Sequence, residues 1–317
     1  MANGLAASRA GAVPGIEALC ESAGRSLGRL TARDLAFTVI PRLNAAGRMG
    51  DARDALDLLL ASDPASARAL AARLETANGE RRSRTDDLLV ESDVDAARMA
   101  RDGAIVLAGD YPVGLAGLIA ARLADRFAVP CAVIEQREET SRGSVRGMDV
   151  LEALGRASAH LLQYGGHPRA AGFTLRSEEI EAFRASFQTA ACALRGEARP
   201  ERTVVVDAQI RLSSVSHRLA VMVEQFEPVG AGNPSPTFIS RNVMVGGVEP
   251  RSGGHLRLRL EQQGAMRRAI AFNPSFLAPE PGARVDVLYE VERSVWDDVE
   301  NVDVIVRDLR LAETSPP

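Results

Sequence analysis

The chain has 317 residues, which is enough for two or three domains of ordinary size. Hydrophobic residues make up 46% and charged residues 25%, as in soluble globular proteins, and no apolar run approaches the ~20 residues that span a bilayer. The formal net charge of −4 argues against a protein that coats nucleic acid through its overall charge, although it permits a local basic groove. All 38 basic residues are arginines, whose planar guanidinium groups suit bidentate contacts with phosphate.

The three cysteines, Cys20, Cys131 and Cys192, lie far apart and have no metal-ligand spacing. Such a set is typical of a reducing compartment. The first ten residues contain neither a long apolar core nor a cleavage pattern, so we expect a cytoplasmic protein.

The N-terminal third is expected to be helical. Short helical patterns cover residues 15–24 and 32–39, and residues 41–48 then break the pattern. Residues 51–97 are helical again, with Asp63 as a helix cap before Pro64. The polar stretch 80–84 is typical of a solvated helix face, and a long charged helix of this kind often connects two domains.

Residues 104–194 alternate between strand and helix patterns. Strands are predicted at 104–108, 131–134 and 173–175, and helices at 113–127, 148–164 and 178–194. A strand, a helix and a strand at this spacing predict a parallel α/β unit.

A charged linker, 196–202, precedes a segment that is rich in strand patterns. Strands are predicted at 203–212, 237–248, 255–262, 266–272, 284–291 and 302–311, with one short helix near 216–226. Five or six strands in about 115 residues suggest a small barrel. The predicted domains are therefore 1–50, 51–99, 100–197 and 198–317.

The first candidate site is the segment 41–48, PRLNAAGR. Asn44 and Arg48 are separated by small residues, which let a ligand or a neighbouring helix come close. Arg48 could then hold a phosphate bidentately. A tight helix–helix junction with a solvated arginine explains the spacing equally well.

The second candidate is the segment 141–147, SRGSVRG. Ser144 and Arg146 would share one face of an extended segment, so that a hydroxyl and a guanidinium group form a phosphate pocket. A plain polar loop is the alternative.

The third candidate is the segment 165–172, GGHPRAAG. The backbone at Gly165 and Gly166 carries no Cβ atoms, so its N–H groups can approach an anion, and His167 can donate to a phosphate. This pattern predicts a phosphate-handling turn that leads into a buried element. A glycine-rich turn with a structural histidine is the alternative.

Two further features lie in the strand-rich segment. The loop 227–236 contains several glycines and prolines, which favour a fixed irregular structure, and we assign it a structural role. Arginines interleaved with a few aromatic residues suit a single-stranded nucleic-acid surface, where bases stack and phosphates pair. The candidate DNA-binding residues are Arg257, Arg259, Arg267 and Trp296.

Other catalytic patterns are absent from the sequence. No cluster of histidines and carboxylates has metal-ligand spacing, and no Ser–His–Asp or Cys–His pattern stands out. The sequence thus offers no catalytic residue and no metal ligand of its own.

Taken together, three segments resemble the C-terminal portion of the RecJ family of single-stranded-DNA-specific exonucleases, a branch of the DHH phosphoesterases. Residues 41–48 resemble that family's arginine–asparagine–glycine block, 165–172 the signature of its DHH-associated domain, and 226–236 the segment that enters its OB-fold. Together they span roughly residues 12–312.

The resemblance implies an α/β DHH-associated domain preceded by a long connecting helix and followed by an all-β OB-fold barrel. Residues 1–50 would be the end of a DHH domain. The implied activity is 5′-to-3′ hydrolysis of single-stranded DNA in recombination and repair. Ser144 and Arg146 would help to hold the 5′ phosphate, with Arg48 contributing from the other wall of the cleft. Gly165, Gly166 and His167 would contact the phosphate of the scissile nucleotide, and Asn44 is a further substrate- or phosphate-binding residue.

Members of the family hold Mn²⁺ or Mg²⁺ through aspartate and Asp-His-His motifs, which this sequence lacks. We therefore expect the chain alone to be inactive. The missing motifs indicate a truncated gene model, a wrong start codon, or one half of a split protein whose upstream polypeptide carries them. Two alternatives stay open: a stand-alone nucleic-acid-binding module, or a DHH-family phosphodiesterase for short oligonucleotides. A barrel that grips a long strand argues against the second.

Overall fold

The computed structural model describes residues 2–11, 13–196, 204–251, 254–272, 274, 276–296 and 299–312. Most of the described residues up to 196 form one compact unit, and residues 204–312 form a second. Within the described residues, no helix combines the length and the apolar character needed to cross a bilayer. The predicted domain boundaries at residues 50, 99 and 197 stay predictions.

Short helices occupy the N-terminal part of the chain: α1 Ala2–Arg9, α2 Pro14–Ser22, α3 Ala32–Asp34, α4 Ile40–Met49 and α5 Arg53–Leu60. A π-helical turn, Leu35–Val39, joins α3 to α4. The expectation that residues 41–48 break the helical pattern is wrong, because all of them lie in α4. Pro41 is tolerated there since the first turn of a helix does not use its N–H group.

The predicted long helix is confirmed as α6, Pro64–Arg101, which has 38 residues and is therefore about 57 Å long. Asp63 caps it by accepting a 2.8 Å hydrogen bond from the Ser66 N–H. Its first half buries Ala71 and Leu74 among the N-terminal helices. Its second half buries Leu88 and Met99 against the α/β domain that follows. One helix thus contributes to two cores.

The α/β domain has a five-stranded sheet of order β1-β2-β3-β5-β4. Its elements are β1 Ile105–Gly109, α7 Val113–Phe127, β2 Cys131–Glu135, β3 Thr140–Arg146, α8 Val150–Arg156, β4 Gln163–His167, β5 Ala170–Arg176 and α9 Ile180–Arg195. The predicted parallel unit is confirmed, since β1 pairs with β2 in parallel through α7. The other pairings in this sheet are antiparallel.

Both faces of β1 and β2 are buried. Val106 and Ile134 pack on the side of α8 and α9, whereas Ile105 and Val133 pack on the side of α6 and α7. This explains the continuous apolar runs in both strands, because alternation of apolar and polar residues requires one solvated face.

The helix expected at 148–164 is wrong in its second half. The helix α8 ends at Arg156, and Gln163 and Tyr164 belong to β4. The Leu162 N–H donates to the Thr174 carbonyl oxygen at 2.8 Å, which begins the pairing of this segment with β5. Pairing with β5 in a hairpin therefore overrides the local helical pattern.

The second unit is a closed barrel of five strands, which confirms the predicted OB-fold architecture. Its elements are β6 Ala208–Gln209, α10 His217–Glu224, β7 Phe238–Arg251, β8 His255–Gln262, β9 Ala265–Ala271, β10 Arg284–Trp296 and β11 Val299–Leu311. The barrel order is β7-β8-β9-β11-β10, and β10 closes it by pairing with β7. Residue 203 of the strand expected at 203–212 lies outside the described residues, and within 204–212 the strand is confined to β6.

A buried carboxylate joins three strands of the barrel. Asp286 on β10 is 6% exposed and accepts hydrogen bonds from the Arg241 Nη1 atom at 2.6 Å and the Asn242 N–H at 3.0 Å. Arg310 on β11 adds a longer contact at 3.4 Å. Burial alone would raise the pKa of Asp286, but the Asn242 N–H and the two arginines outweigh it, so the pKa is lowered.

We expect Asp286→Asn to lower the free energy of unfolding of the barrel by about 2 kcal/mol, because it removes charge-assisted hydrogen bonds. Urea denaturation followed by circular dichroism measures the change. Because the folded pKa is depressed, the stabilisation is present above the unfolded pKa of about 3.9 and is lost as the pH falls through the lower folded value. The matched control is Glu249→Gln, an exposed carboxylate on β7, which should change stability by less than about 0.5 kcal/mol. Equal effects of the two variants would contradict the assignment.

Candidate nucleic-acid interface

The helices α4 and α7 meet at Gly114. A Cβ atom at Gly114 would lie 2.1 Å from the carbonyl oxygen of Arg48, so only glycine permits this approach of the two backbones. The Arg48 Nη1 atom in turn donates to the Gly114 carbonyl oxygen at 3.0 Å. The small residues of segment 41–48 thus form a tight helix–helix junction, and the same junction anchors the arginine.

One turn later on α7, Gly117 faces strand β3. A Cβ atom there would lie 2.7 Å from the Arg146 Nη2 atom and 3.6 Å from the Ser144 Oγ atom. Ser144 and Arg146 are two residues apart on an extended strand, as their spacing predicts, and so share the face towards α7. Gly117 therefore leaves the space that the Arg146 side chain occupies. We call Arg48, Ser144 and Arg146 the anion site.

The electrostatics of the anion site favour a negatively charged ligand. Burial lowers the pKa of the half-buried Arg146, and the positive charge of Arg48 lowers it further. Within the described part of the chain, neither arginine has a carboxylate within salt-bridge distance. Two neighbouring cations without an acid cost free energy, and a bound anion would offset that cost. Asn44 lies one turn before Arg48 on α4, and its side chain is exposed.

The segment 165–172 is a β-hairpin. Its glycines lie in the edge strand β4, all five of whose residues are exposed, and the turn itself is formed by Pro168 and Arg169. The turn lies within the predicted segment but three residues after the two glycines. Gly166 has φ = +145°, and a Cβ atom there would lie 2.6 Å from the Ala171 Cα atom. Gly165 has open space where its Cβ atom would be, so the edge presents bare backbone.

Strand register brings the second and third sequence segments together. Across β5, Ser144 is aligned with Gly172 and Gly165. In the next row of the same face, Arg146 is aligned with Ala170 and His167. Strands β3 and β4 are each adjacent to β5, so their backbones lie about 10 Å apart.

The residues between the two motifs are small. Gly172 is exposed and Ala170 is half-buried, so no long side chain rises between Arg146 and His167. The same face of the sheet is therefore open over β5 and β4. Its rim carries a guanidinium group on one side and an imidazole group on the other, a layout that suits an extended polyanion.

The candidate residues of the barrel differ in their contacts. Arg257 and Arg259 are exposed on β8, and both contact acids: Arg257 lies 3.9 Å from Glu249, and Arg259 donates to Glu261 at 3.2 Å. Arg259 also donates to the Gly246 carbonyl oxygen. Exposed pairs of this kind are weak and can exchange for phosphate.

Arg267 makes internal contacts instead. Its Nε and Nη2 atoms donate to the Val215 carbonyl oxygen at 2.9 and 2.6 Å. This arrangement favours a bracing role between β9 and the loop before α10. The side chain of Trp296 lies outside the described residues.

Sequence reasoning missed the glycines of α7. The segment 113–127 was predicted only as an amphipathic helix, although Gly114 and Gly117 are three apart and share one face. Glycines at that spacing are a detectable signal of close approach. Among the described residues, no group of three or more His, Cys, Asp or Glu side chains could hold a metal ion.

Two family domains match the chain. Residues 102–191 match the DHHA1 domain, which contains the β3 and β4 motifs, and residues 206–308 match the RecJ OB domain, which contains the barrel. The single-stranded-DNA-specific exonuclease RecJ of Thermus thermophilus is 30% identical over 98% of this chain and 44% of that protein. RecJ of Bacillus subtilis is 26% identical over 94% of this chain and 39% of that protein.

Solved structures show the same relationship. A crystal structure of Thermus thermophilus RecJ in complex with Mg²⁺ matches with a TM-score of 0.78 and 30% identity, over 98% of this chain and 48% of that one. The corresponding Mn²⁺ complex matches with a TM-score of 0.77 and 30% identity, over 98% of this chain and 46% of that one. The chain spans between 39% and 57% of the lengths of the curated relatives that it matches. The chain thus carries a DHHA1 domain and a RecJ OB domain, and it is similar over nearly its whole length to the C-terminal portion of RecJ.

Proposed function

We propose that this chain is the substrate-binding part of a cytoplasmic RecJ-type 5′-to-3′ exonuclease that acts on single-stranded DNA in recombination and repair. The observation that carries the proposal is the alignment of Ser144 and Arg146 with Gly165 and His167 across β5. This alignment supports the proposal because both segments share one open face of the sheet.

The anion site would hold the terminal 5′ phosphate. Arg48 and Arg146 supply charge-assisted hydrogen bonds from two sides, and the Ser144 hydroxyl adds a third donor. Asn44, exposed one turn before Arg48, would contact the same end of the strand. Gly114 and Gly117 let α7 lie close to α4 and β3. The anion site is therefore preorganised and needs little rearrangement to bind a phosphate.

The edge strand β4 would hold the phosphate of the scissile nucleotide. The backbone at Gly165 and Gly166 lets a phosphate approach, and His167 supplies a side-chain donor. In the barrel, Arg257 and Arg259 would grip the downstream strand by exchanging their exposed acid partners for phosphates. We assign Arg267 and Trp296 to the same surface, where Arg267 braces the strands.

Hydrolysis would require a divalent metal ion, as the Mg²⁺ and Mn²⁺ complexes of the Thermus thermophilus relative indicate. Such an ion activates water and stabilises the leaving oxygen. We assign its ligands to DHH motifs that lie outside these 317 residues. In that arrangement this chain positions the strand, and the metal centre cuts it.

The first test is binding of a 5′-phosphorylated oligothymidylate to the full chain, measured by fluorescence anisotropy against the 5′-hydroxyl form. We expect Arg146→Gln to weaken binding of the phosphorylated form by at least about ten-fold, because a charge-assisted bidentate contact is lost. The control is Arg142→Gln, which removes an exposed arginine from the same strand. Equal losses in the two variants would contradict a specific site at Arg146.

A second test uses Gly117→Ala. Alanine should stabilise α7 by about 1 kcal/mol through helix propensity, while its methyl group displaces the Arg146 guanidinium. We therefore expect unchanged or higher thermal stability, with binding of the 5′-phosphorylated strand weakened by about ten-fold. The matched control is Gly79→Ala in α6, where a Cβ atom meets nothing within 4 Å. Unimpaired binding by Gly117→Ala would refute the placement of Arg146 in the site.

A third test concerns catalysis. With Mn²⁺, the chain alone should bind a 5′-phosphorylated strand but release no nucleotides, since the proposal places the metal ligands outside these 317 residues. Release of nucleotides is measured by denaturing gel electrophoresis, with full-length Thermus thermophilus RecJ as the positive control. Robust release of nucleotides by the chain alone would contradict the assignment of the metal ligands to residues outside this chain.

A further inference from the structure

Arg81 lies on α6 beside the junction of α4 and α7. Earlier on α6, Glu75 pairs with Arg42 of α4, and later on α6, Asp86 pairs with Arg122 of α7 at 2.5 Å. The position of Arg81 between these two pairs places it where α6 faces both other helices. Those two helices carry the Arg48–Gly114 contact of the anion site.

The side chain of Arg81 is held by a neutral residue. Its Nη2 atom donates to the Asn78 Oδ1 atom at 3.0 Å, and Asn78 is fully buried. The Arg81 Nε and Asn78 Nδ2 atoms are also buried, and neither has a hydrogen-bond partner among the described residues. Two buried donors without acceptors cost free energy, so this pair is not explained by stability alone.

The charges around Arg81 are mostly of its own sign. Burial lowers its pKa, and three other arginines lower it further: Arg82, Arg48 and Arg122. Asp86 opposes them, but its carboxylate is already paired with Arg122. No carboxylate in the described part of the chain lies within salt-bridge distance of Arg81. A cation in this position raises the positive potential at Arg48.

We propose that Arg81, held in place by Asn78, is a specificity-determining residue that supplies a third positive charge to the anion site. The site would thereby select a doubly charged terminal phosphate over the singly charged phosphodiesters within a strand. A phosphate monoester carries close to two negative charges at neutral pH, so each added cation favours it more than a diester. This inference rests on the proposed function of the anion site.

The test compares the affinities of the full chain for 5′-phosphorylated and 5′-hydroxyl oligothymidylate of one length. The ratio of the two dissociation constants is the measured preference. Arg81→Gln should lower this preference by about five-fold, the scale of one partly screened charge. Arg81→Lys, which keeps the charge, should retain it within about two-fold. Arg82→Gln removes the same charge from the exposed neighbouring position and should leave the preference unchanged.

Thermal unfolding separates this role from a structural one. Because Arg81→Gln relieves repulsion between like charges, its unfolding temperature should equal or exceed that of the parent chain. A lower unfolding temperature, or a preference that falls equally in Arg81→Gln and Arg82→Gln, would overturn the proposal.

The two levels of the argument fail in different ways. If the parent chain itself shows no preference for the 5′ phosphate, the assignment of the anion site is wrong. If the parent chain and Arg146→Gln behave as expected while Arg81→Gln keeps the full preference, only the inference about Arg81 is wrong.

Discussion

The close approach of α7 to its neighbours is the constraint on which the anion site depends. Any side chain at Gly114 would push away the backbone of α4, and any side chain at Gly117 would fill the space of the Arg146 guanidinium. Helix α7 therefore has no side chain at these two positions, and the side chains of Arg48 and Arg146 lie against its backbone. The site exists because two side chains are missing from a helix whose other face is fully packed into the core.

The guanidinium groups near α7 illustrate a conflict between stability and binding. Arg48, Arg81 and Arg146 are partly buried cations, and the described residues offer none of them a carboxylate partner at salt-bridge distance. In the barrel, by contrast, the buried Asp286 is matched by Arg241 and Arg310. In the proposed function, a bound phosphate would balance the charges of Arg48, Arg81 and Arg146.

The different DNA contacts proposed for the two units follow from the architecture of their sheets. The α/β unit has an exposed edge strand and a face that α7 covers only in part, so it can offer backbone and side-chain donors together. The barrel is closed by the pairing of β10 with β7, and Arg257 and Arg259 are exposed on its strand β8. In the proposed function, the first arrangement would recognise the end of a strand, and the second would contact the strand in general.

The sequence alone determined the long helix, the parallel α/β unit and the barrel, because these follow from local periodicity and turn residues. It also determined which residue types could contact phosphate, since Arg48, Ser144, Arg146 and His167 stand in short segments whose order resembles one family. The helix continuing through segment 41–48 and the strand β4 were not predicted, because in both places local pattern and final structure disagree.

Only the tertiary structure decided that these segments form one site. The alignment of β3, β5 and β4 sets Arg146 and His167 in one row, and register between distant strands leaves no trace in local sequence. The structure also decided that Gly117 makes room for a guanidinium group and that Arg81 stands near Arg48, since both depend on helices that meet only after folding. Periodicity describes which face of an element is apolar, whereas packing alone decides which charged groups become neighbours.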